Sequence, residues 1–459
     1  MQIPPSSAAA GQVPAGLTLA PFRGVRYAQD RVSGLAEVTS PPYDVIYADK
    51  EDQLMAADPH NVVRLILPRP MGGGRPGEAY QHAAESLRQW QEEHILITDP
   101  VRALYVYEQA SADADGRGWV QRGLIGALRL VPPEAGIVLP HEDVSPGPVA
   151  GRLALMEATQ ANLEPIFLLY DGIGRAGNRP GDRGTVGQPG AAATIVGETA
   201  TREPLIETTT SDRLRHRLWA VTDPVGLAEI AADLRPRQAL IADGHHRYAA
   251  YRQLQARRHQ AGDGPGPWDF GLALLVDSTA YPPQIGAIHR VIPGLDLQHA
   301  VKLAASAFTV RRVPGRRGEL PAALSSLAEA SGEGPAFVLA GDESAYLINH
   351  PDPAQARAAM PSGRSAAWCA LPAAILQELL ITRLWEVTDD DESVQVVHHD
   401  ADAAVRAAQA AGGTAVLCSP MSPSEVYAVA ARGEKVQRKS TSFAPKPRTG
   451  LVLRSFAQG

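Results

Sequence analysis

Two periodicities in the hydrophobic pattern predict a chain that mixes helices with strands. From Glu78 to His94 apolar side chains recur at helical spacing, which favours an amphipathic helix with one buried stripe. Short apolar runs at 103–107 and 123–128 flank a polar turn and predict a β-hairpin. A further apolar run at 165–170 is typical of a buried strand. The expected fold class is therefore α/β, of the mixed α+β kind.

Later in the chain, predicted strands at 238–242 and 271–277 bracket a helix and form a strand–helix–strand unit. Beyond residue 295 the same two periodicities continue to alternate. They predict helices at 299–308, 320–330, 372–384 and 401–411, and strands at 336–339, 345–349 and 414–418.

Shifts in composition divide the chain into three parts. Residues 1–20 lack both a basic start and a continuous apolar run, and we expect a disordered leader there. Residues 21–295 are predicted to form an α/β domain that binds nucleotide and carries the catalytic groups. Within it, 171–200 is poor in apolar residues and is predicted to be a mobile loop. Residues 296–459 are predicted to form a C-terminal α/β domain whose basic tail contributes to the site.

Bulk properties limit the classes of partner. The chain has 459 residues, 44% of them hydrophobic, and a formal net charge of -7, which argues against a nucleic-acid coat or a protein that binds anionic membranes. Its apolar runs are too short to span a bilayer. Cys369 and Cys418 are the only cysteines, so the sequence offers no multi-cysteine metal site and favours a reducing compartment. We expect a cytoplasmic protein; its oligomeric state stays open.

The most informative motif runs from Asp243 through Gly244 to His245, His246 and Arg247, where the sequence predicts a turn from a strand into a helix. Asp243 is the expected N-cap. Open backbone N–H groups at the start of a helix bind anions, and the imidazoles and guanidinium add donors, so the motif predicts a phosphate site. A capping turn with surface histidines is the alternative.

A second motif places His141, Glu142 and Asp143 in a loop rich in proline and glycine. Such groups bind Mg²⁺ through oxygen or take a proton from a hydroxyl. The alternative is a solvated acidic loop in which Ser145 caps the next helix.

Two further segments carry candidate binding residues. His289 and Arg290 interrupt an apolar run, and a buried arginine needs an acidic partner or a ligand; a structural ion pair explains it equally well. Lys439 precedes Ser440 and Thr441, but the glycines of a P-loop are missing upstream, so we reject a Walker site. Lys439 or Lys446 can still contact a ligand from the tail, but the basic composition favours the alternative, a solvated tail.

These blocks, in their order along the chain, resemble a bacterial and archaeal family known as domain of unknown function 1015. The matching pieces are FRGVRY, SPPYDVI, HEDVSPGP, RLW, IADGHHRY and KSTSF. The chain departs from the family's usual pattern at Val144, Val149, Gly151, Gln437 and Arg438.

More distantly, the turn at 243–247 is similar to the phosphate-binding turn of the ParB/sulfiredoxin superfamily, which includes free-serine kinases. This resemblance implies a ParB/sulfiredoxin-like nucleotide-binding core with an additional α/β region. It implies that Asp243, Gly244, His245, His246 and Arg247 hold nucleotide phosphates or receive the transferred group. Within it, the predicted catalytic residues are Glu142 as the base, Asp143 beside Mg²⁺, and His246. The predicted nucleotide-binding residues also include His289, Arg290 and Lys439.

The function that follows is a kinase-like phosphotransferase that uses ATP or ADP with Mg²⁺ to phosphorylate a small hydroxylated metabolite such as serine. A non-catalytic protein that senses nucleotide is the first alternative. A metal-dependent hydrolase built from His141, Glu142, Asp143 and the histidine pair is the second. A nucleic-acid partner is not expected, because the chain is acidic and shows no convincing helix-turn-helix.

Overall fold

The computed structural model describes residues 16–70, 76–111, 118–172, 189–314, 319–341, 344–390 and 392–458. The chain forms two compact units. The first comprises Met1–Pro140, Val144–Pro283 and Pro445–Gly459, and the second comprises His141–Asp143 and Gln284–Ala444. The sequence predicts a domain boundary at residue 295 and a second domain that includes the whole C-terminal tail. The end of the tail belongs to the first unit because Leu451, Val452 and Leu453 are buried there.

The first unit is built on a nine-stranded mixed sheet with the order β6-β11-β8-β12-β5-β4-β10-β9, in which β1 also pairs with β5. The strands of this unit, including the small β2–β3 pair, are β1 (Leu19–Ala20), β2 (Val25–Tyr27), β3 (Leu96–Thr98), β4 (Leu104–Ser111), β5 (Val120–Arg129), β6 (Val138–Leu139), β7 (Ala161–Asn162), β8 (Ile166–Tyr170), β9 (Ile206–Thr209), β10 (Leu214–Val221), β11 (Ala239–Asp243) and β12 (Phe270–Asp277). A last short strand, Arg454–Ser455, pairs with β7.

Strand pairing agrees with the sequence in one place and differs in another. The predicted hairpin is confirmed, since β4 and β5 are antiparallel neighbours. The predicted strand–helix–strand unit is present, but β8 lies between β11 and β12, antiparallel to the first and parallel to the second. Hydrophobic periodicity identifies a buried strand, but it carries no information about which distant strand becomes its neighbour.

The helices of the first unit include the one predicted at 78–94. They are α1 (Leu35–Val38), α2 (Ala48–Ala57), α3 (Val63–Ile66), α4 (Pro76–Glu92), α5 (Pro146–Thr159), α6 (Ala191–Thr199), α7 (Pro224–Leu234) and α8 (His245–Gln260). Helices α5 and α8 pack against each other. Their apolar side chains, among them Leu153, Met156, Tyr248 and Leu254, join the core that covers the sheet. Helix α8 begins two residues after the last residue of β11, and α5 packs beside it.

Two segments predicted to be irregular contain residues that form a strand or a helix. Residues 1–15 of the expected leader lie outside the described residues, but Leu19–Ala20 forms β1 and Leu19 is buried. Residues 173–188 of the expected mobile loop also lie outside them, whereas Ala191–Thr199 is the helix α6 with Val196 in the core. Both predictions ran too far because composition does not show when a short apolar stretch has a core to pack on.

The second unit is built on a six-stranded antiparallel sheet with the order β15-β17-β16-β19-β14-β18. Alternate residues of its strands enter two separate clusters, Leu339 in one and Val338 in the other, so helices cover both faces. The strands of this unit are β13 (Gln284–Ile285), β14 (Ile288–Ile292), β15 (Thr309–Val313), β16 (Phe337–Ala340), β17 (Ala345–Asn349), β18 (Gln395–His398), β19 (Thr414–Cys418) and β20 (Phe443–Ala444). Strands β13 and β20 form a separate pair.

The four helices predicted in the second unit are present at or near their predicted positions, one of them with a change of type. The helices Pro353–Ala359, Ala366–Cys369 and Pro423–Ala430 were missed. The segment predicted as one helix at 372–384 begins as an α-helix and continues as a π-helix, Ile375–Leu384. The α-helices are α9 (Leu297–Ala304), α10 (Leu320–Ser331), α11 (Pro353–Ala359), α12 (Ala366–Cys369), α13 (Pro372–Ala374), α14 (Ala401–Ala410) and α15 (Pro423–Ala430). None of the helices among the described residues has the length and apolar character needed to span a bilayer.

Candidate functional site

The turn between β11 and α8 depends on Gly244. Its backbone is left-handed, with φ 96° and ψ 29°, and a Cβ there would lie 2.9 Å from a methyl group of Ile166. Gly244 is the N-cap residue of α8, and no side chain caps the first turn. The predicted capping role of Asp243 is therefore wrong, because Asp243 is still part of β11 and its carboxylate contacts other groups.

The carboxylate of Asp243 lies between two cations. Its Oδ2 accepts a hydrogen bond from Arg247 at 2.5 Å, and its Oδ1 lies 2.5 Å from Nζ of Lys446. The same Nζ lies 3.1 Å from a carboxylate oxygen of Asp44. Burial raises the pKa of Asp243, but Lys446 and Arg247 outweigh it and hold that pKa below its usual value. Lys446, from the C-terminal segment, is thus part of this turn.

Arg247 is only 3% exposed, and its hydrogen bonds go to protein oxygens. Besides Asp243, it donates from Nη1 to the carbonyl oxygen of Pro165 at 2.6 Å. Its Nε has no hydrogen-bond partner among the described residues. A cavity of about 20 Å³ beside it, lined in part by Glu164 and Tyr251, has room for one water molecule. A phosphate contact for Arg247 stays a prediction, and its observed contacts are internal.

Glu164 belongs to the same buried group, and the sequence analysis did not identify it. It is 4% exposed, accepts the backbone N–H of Tyr43 at 3.0 Å, and lies 3.6 Å from Nη1 of Arg152. Burial raises its pKa above the usual value, although Arg247 and Arg152 act in the opposite direction. The only available signal was one acidic residue beside a strand of apolar side chains, which requires a partner when it is buried.

The two histidines of the turn differ in exposure. His245 is buried, whereas His246 is half-buried and accepts the backbone N–H of Ser145 on Nε2 at 3.1 Å. Ser145 is the N-cap residue of α5, and its side chain makes no capping hydrogen bond. The starts of α5 and α8 are therefore adjacent, and neither has a side-chain cap. The start of a helix carries partial positive charge from the helix dipole.

In the second unit, the loop of the acidic motif contacts the segment that follows Lys439. His141 is fully buried, and its Nε2 lies 2.9 Å from the hydroxyl of Thr441. That hydroxyl donates to Glu142 at 2.6 Å, and Asp143 forms an ion pair with Lys435. Thr441 was missed as a partner because it belongs to a sequence rejected as a P-loop, and distant residues of the chain meet here without a shared motif.

The other predicted ligands in the second unit have internal contacts. Arg290 is 6% exposed and donates from Nη2 to the carbonyl oxygen of Lys439 at 2.9 Å, so backbone oxygens take the place of the expected acidic partner. Burial lowers its pKa. His289 accepts the N–H of Cys418 on Nδ1 at 3.2 Å, and burial lowers its pKa to about 4. Nucleotide contacts for His289, Arg290 and Lys439 stay predictions.

The described residues contain no group of three or more His, Cys, Asp or Glu side chains placed to hold a metal ion. Asp143, the predicted metal ligand, is paired with Lys435. The metal-dependent hydrolase considered above therefore gains no support from this part of the chain.

The structure was compared with known proteins. No curated protein matches the chain. A mutant free serine kinase in complex with ADP aligns with TM-score 0.32 and 13% identity, over 67% of this chain and 84% of that chain. SbnI with a C-terminal truncation, from Staphylococcus aureus, aligns with TM-score 0.34 and 12% identity, over 72% and 88%. A conserved hypothetical protein from Pyrococcus furiosus aligns with TM-score 0.31 and 13% identity, over 70% and 94%.

The family comparison covers most of the sequence. The model of the family described as protein of unknown function, DUF1015, matches residues 19–374, and this chain belongs to that family.

Proposed function

We propose that this protein is a nucleotide-dependent phosphotransferase that phosphorylates a small hydroxylated metabolite such as serine, with ATP or ADP as the donor. The observation that carries the proposal is the pair of adjacent helix starts at Ser145 and Gly244, neither of which has a side-chain cap. The positive ends of the two helix dipoles favour the negative charge of a polyphosphate.

Lys446 supplies a positive charge for the same phosphates. Its ammonium group lies against Asp243 and Asp44, and these two carboxylates raise its pKa against the lowering effect of burial, so it stays charged. In the proposal, the backbone N–H groups after Gly244 bind phosphate oxygens and Lys446 neutralises them. Arg247 holds Asp243 in place from beneath. Phosphoryl transfer depends chiefly on such positioning and charge neutralisation.

Glu142 is the proposed general base. It already accepts a hydrogen bond from an alcohol, the hydroxyl of Thr441, which is the kind of contact that a substrate hydroxyl requires. As the substrate oxygen forms its bond to the terminal phosphorus, the bond from that phosphorus to the nucleotide breaks. The hydroxyl proton passes to Glu142, and the nucleotide leaves with one phosphoryl group fewer.

The resemblance implies Mg²⁺ as a cofactor, and these residues fit it as an ion that binds together with the nucleotide. Because the described residues contain no three-ligand cluster, the ion would have to arrive with the nucleotide, and Asp143 is the residue that would hold it. Mg²⁺ is commonly bound by one or two carboxylates together with substrate phosphates, and it would neutralise phosphate charge.

Calorimetry with ATP and ADP, followed by mass spectrometry of hydroxy amino acids incubated with the protein, tests this proposal. In variants that urea denaturation shows to be folded, we expect Lys446→Met to weaken nucleotide binding by at least roughly tenfold, the loss of one charge-assisted contact, and Lys446→Arg to retain most of it. Lys302→Met, at an exposed position of α9, is the matched control. Glu142→Gln should bind nucleotide and form no product. Absence of nucleotide binding by the native protein would refute the proposal.

A nucleotide-sensing protein without chemistry is the second candidate. It is favoured by the pairing of Glu142 with Thr441 and of Asp143 with Lys435, which leaves both carboxylates occupied by protein groups. Nucleotide that binds tightly and is recovered unchanged after long incubation with every hydroxylated substrate would select this function.

A further inference from the structure

We infer that His246 is a positioning residue, which holds the start of α5 against the start of α8, and that it does not transfer a proton in the reaction. This inference rests on the proposed function for its kinetic consequence only. The structural part of the inference depends only on the hydrogen bond from the backbone N–H of Ser145 to the ring of His246. Both residues belong to the first unit.

The direction of this hydrogen bond decides the chemical role of the ring. A backbone N–H can only donate, so Nε2 of His246 must carry a lone pair and the neutral ring keeps its proton on Nδ1. While the bond persists, that lone pair is occupied and cannot take a proton from a substrate hydroxyl. The contact is therefore suited to holding a backbone segment.

The segment that His246 holds has little burial of its own. Residues 144–148 are all exposed, and the first buried side chain of α5 is that of Val149. The backbone N–H of Ser145 is anchored by the ring of His246.

Substitutions separate a positioning role from a catalytic one. The amide oxygen of Gln lies near the place of Nε2 and accepts an N–H, but it cannot act as an acid or a base. We therefore expect His246→Gln to behave like the native protein and His246→Ala to lose the anchor. His299→Ala, at an exposed position of α9, is the matched control and should also behave like the native protein.

Hydrogen–deuterium exchange of the full-length protein without ligand measures the anchor directly. The prolines at 146 and 148 have no amide hydrogen. In a peptide that spans this segment, the amide of Ser145 therefore supplies a large share of the exchange signal. We expect exchange there to be roughly fivefold faster in His246→Ala, the ratio for one lost hydrogen bond, and to return to the native rate in His246→Gln. Unchanged exchange in His246→Ala would overturn the inference.

Kinetics provide the second readout. Because the proposed nucleotide site includes both helix starts, we expect His246→Ala to weaken nucleotide binding and to lower kcat for phosphoryl transfer, and His246→Gln to restore both. If His246→Gln is as inactive as His246→Ala, the ring itself takes part in the chemistry and the inference is wrong. The exchange experiment needs neither nucleotide nor turnover, so a failure of the proposed function leaves its outcome readable.

Discussion

Buried charges dominate the residues that surround the turn at Gly244. Asp243, Arg247 and Glu164 are each less than a tenth exposed, and they are stabilised by one another and by Lys446. Charges inside a protein persist only when they are paired, and removing one partner leaves the other uncompensated. A substitution at this turn therefore acts on folding before it acts on any ligand.

Arg247→Ala should lower the free energy of unfolding by about 3–5 kcal/mol, because it leaves Asp243 and Glu164 buried without their shared cation. Urea denaturation measures this loss. Arg257→Ala, on an exposed part of the same helix, should cost less than about 1 kcal/mol. Equal losses in the two variants would contradict the buried-pair explanation. Nucleotide affinity measured on Arg247→Ala reports folding as well as ligand contact.

At the scale of the element, the decisive feature is a strand that ends one residue before a helix begins. Gly244 makes this possible because its left-handed backbone and missing Cβ let the chain turn against Ile166. The consequence is a helix start whose N–H groups have no side-chain cap. The same turn places His246 where it meets the N–H of Ser145.

Gly244→Ala should destabilise the protein by on the order of 1–3 kcal/mol, the cost of a non-glycine residue in the left-handed region, and it should also disturb the start of α8. Gly197→Ala is the matched control, since this glycine lies within α6 with open space around it. There we expect a gain of roughly 0.5–1 kcal/mol. Thermal unfolding compares the two, and a Gly244→Ala variant as stable as the native protein would show that the turn tolerates a side chain.

A helix or strand could be predicted from the sequence where residues close together in the chain determine it. The β4–β5 hairpin follows from two apolar runs and a polar turn, and β19 follows from its own five residues. The position of β8 between β11 and β12 has no local cause, because it depends on pairing between distant segments. The continuation of α13 as a π-helix likewise leaves no mark in the apolar spacing.

For the whole molecule, the path of the chain matters more than its composition. The chain passes from the first unit to the second and returns for Pro445–Gly459, which supplies Lys446 to the turn and three buried apolar side chains to the first unit. The C-terminal segment is therefore part of the fold of the first unit and of its candidate site. Its basic composition alone suggested a solvated tail.

Ending the chain at Ala444 should abolish cooperative folding of the first unit. Leu451, Val452 and Leu453 are almost fully buried, and each such side chain contributes about 1.5–3 kcal/mol, which together approaches the stability of a typical domain. A chain that ends at Ala457 keeps these residues and is the control. Calorimetric unfolding measures the difference, and an unchanged transition in the shorter chain would refute this account of the tail.

The sequence by itself determined the mixed α/β character of the chain, helices and strands with clear apolar patterns such as α4 and β12, the family to which it belongs, and the strand-to-helix turn at Asp243 and Gly244, because each depends on residues close together in the chain. Only the tertiary structure decided that Arg247 is directed inward, that Glu164 and Lys446 join the turn, and that Thr441 meets Glu142. These contacts join residues far apart in the chain, and burial, which sets their charge and partners, is a property of the folded molecule.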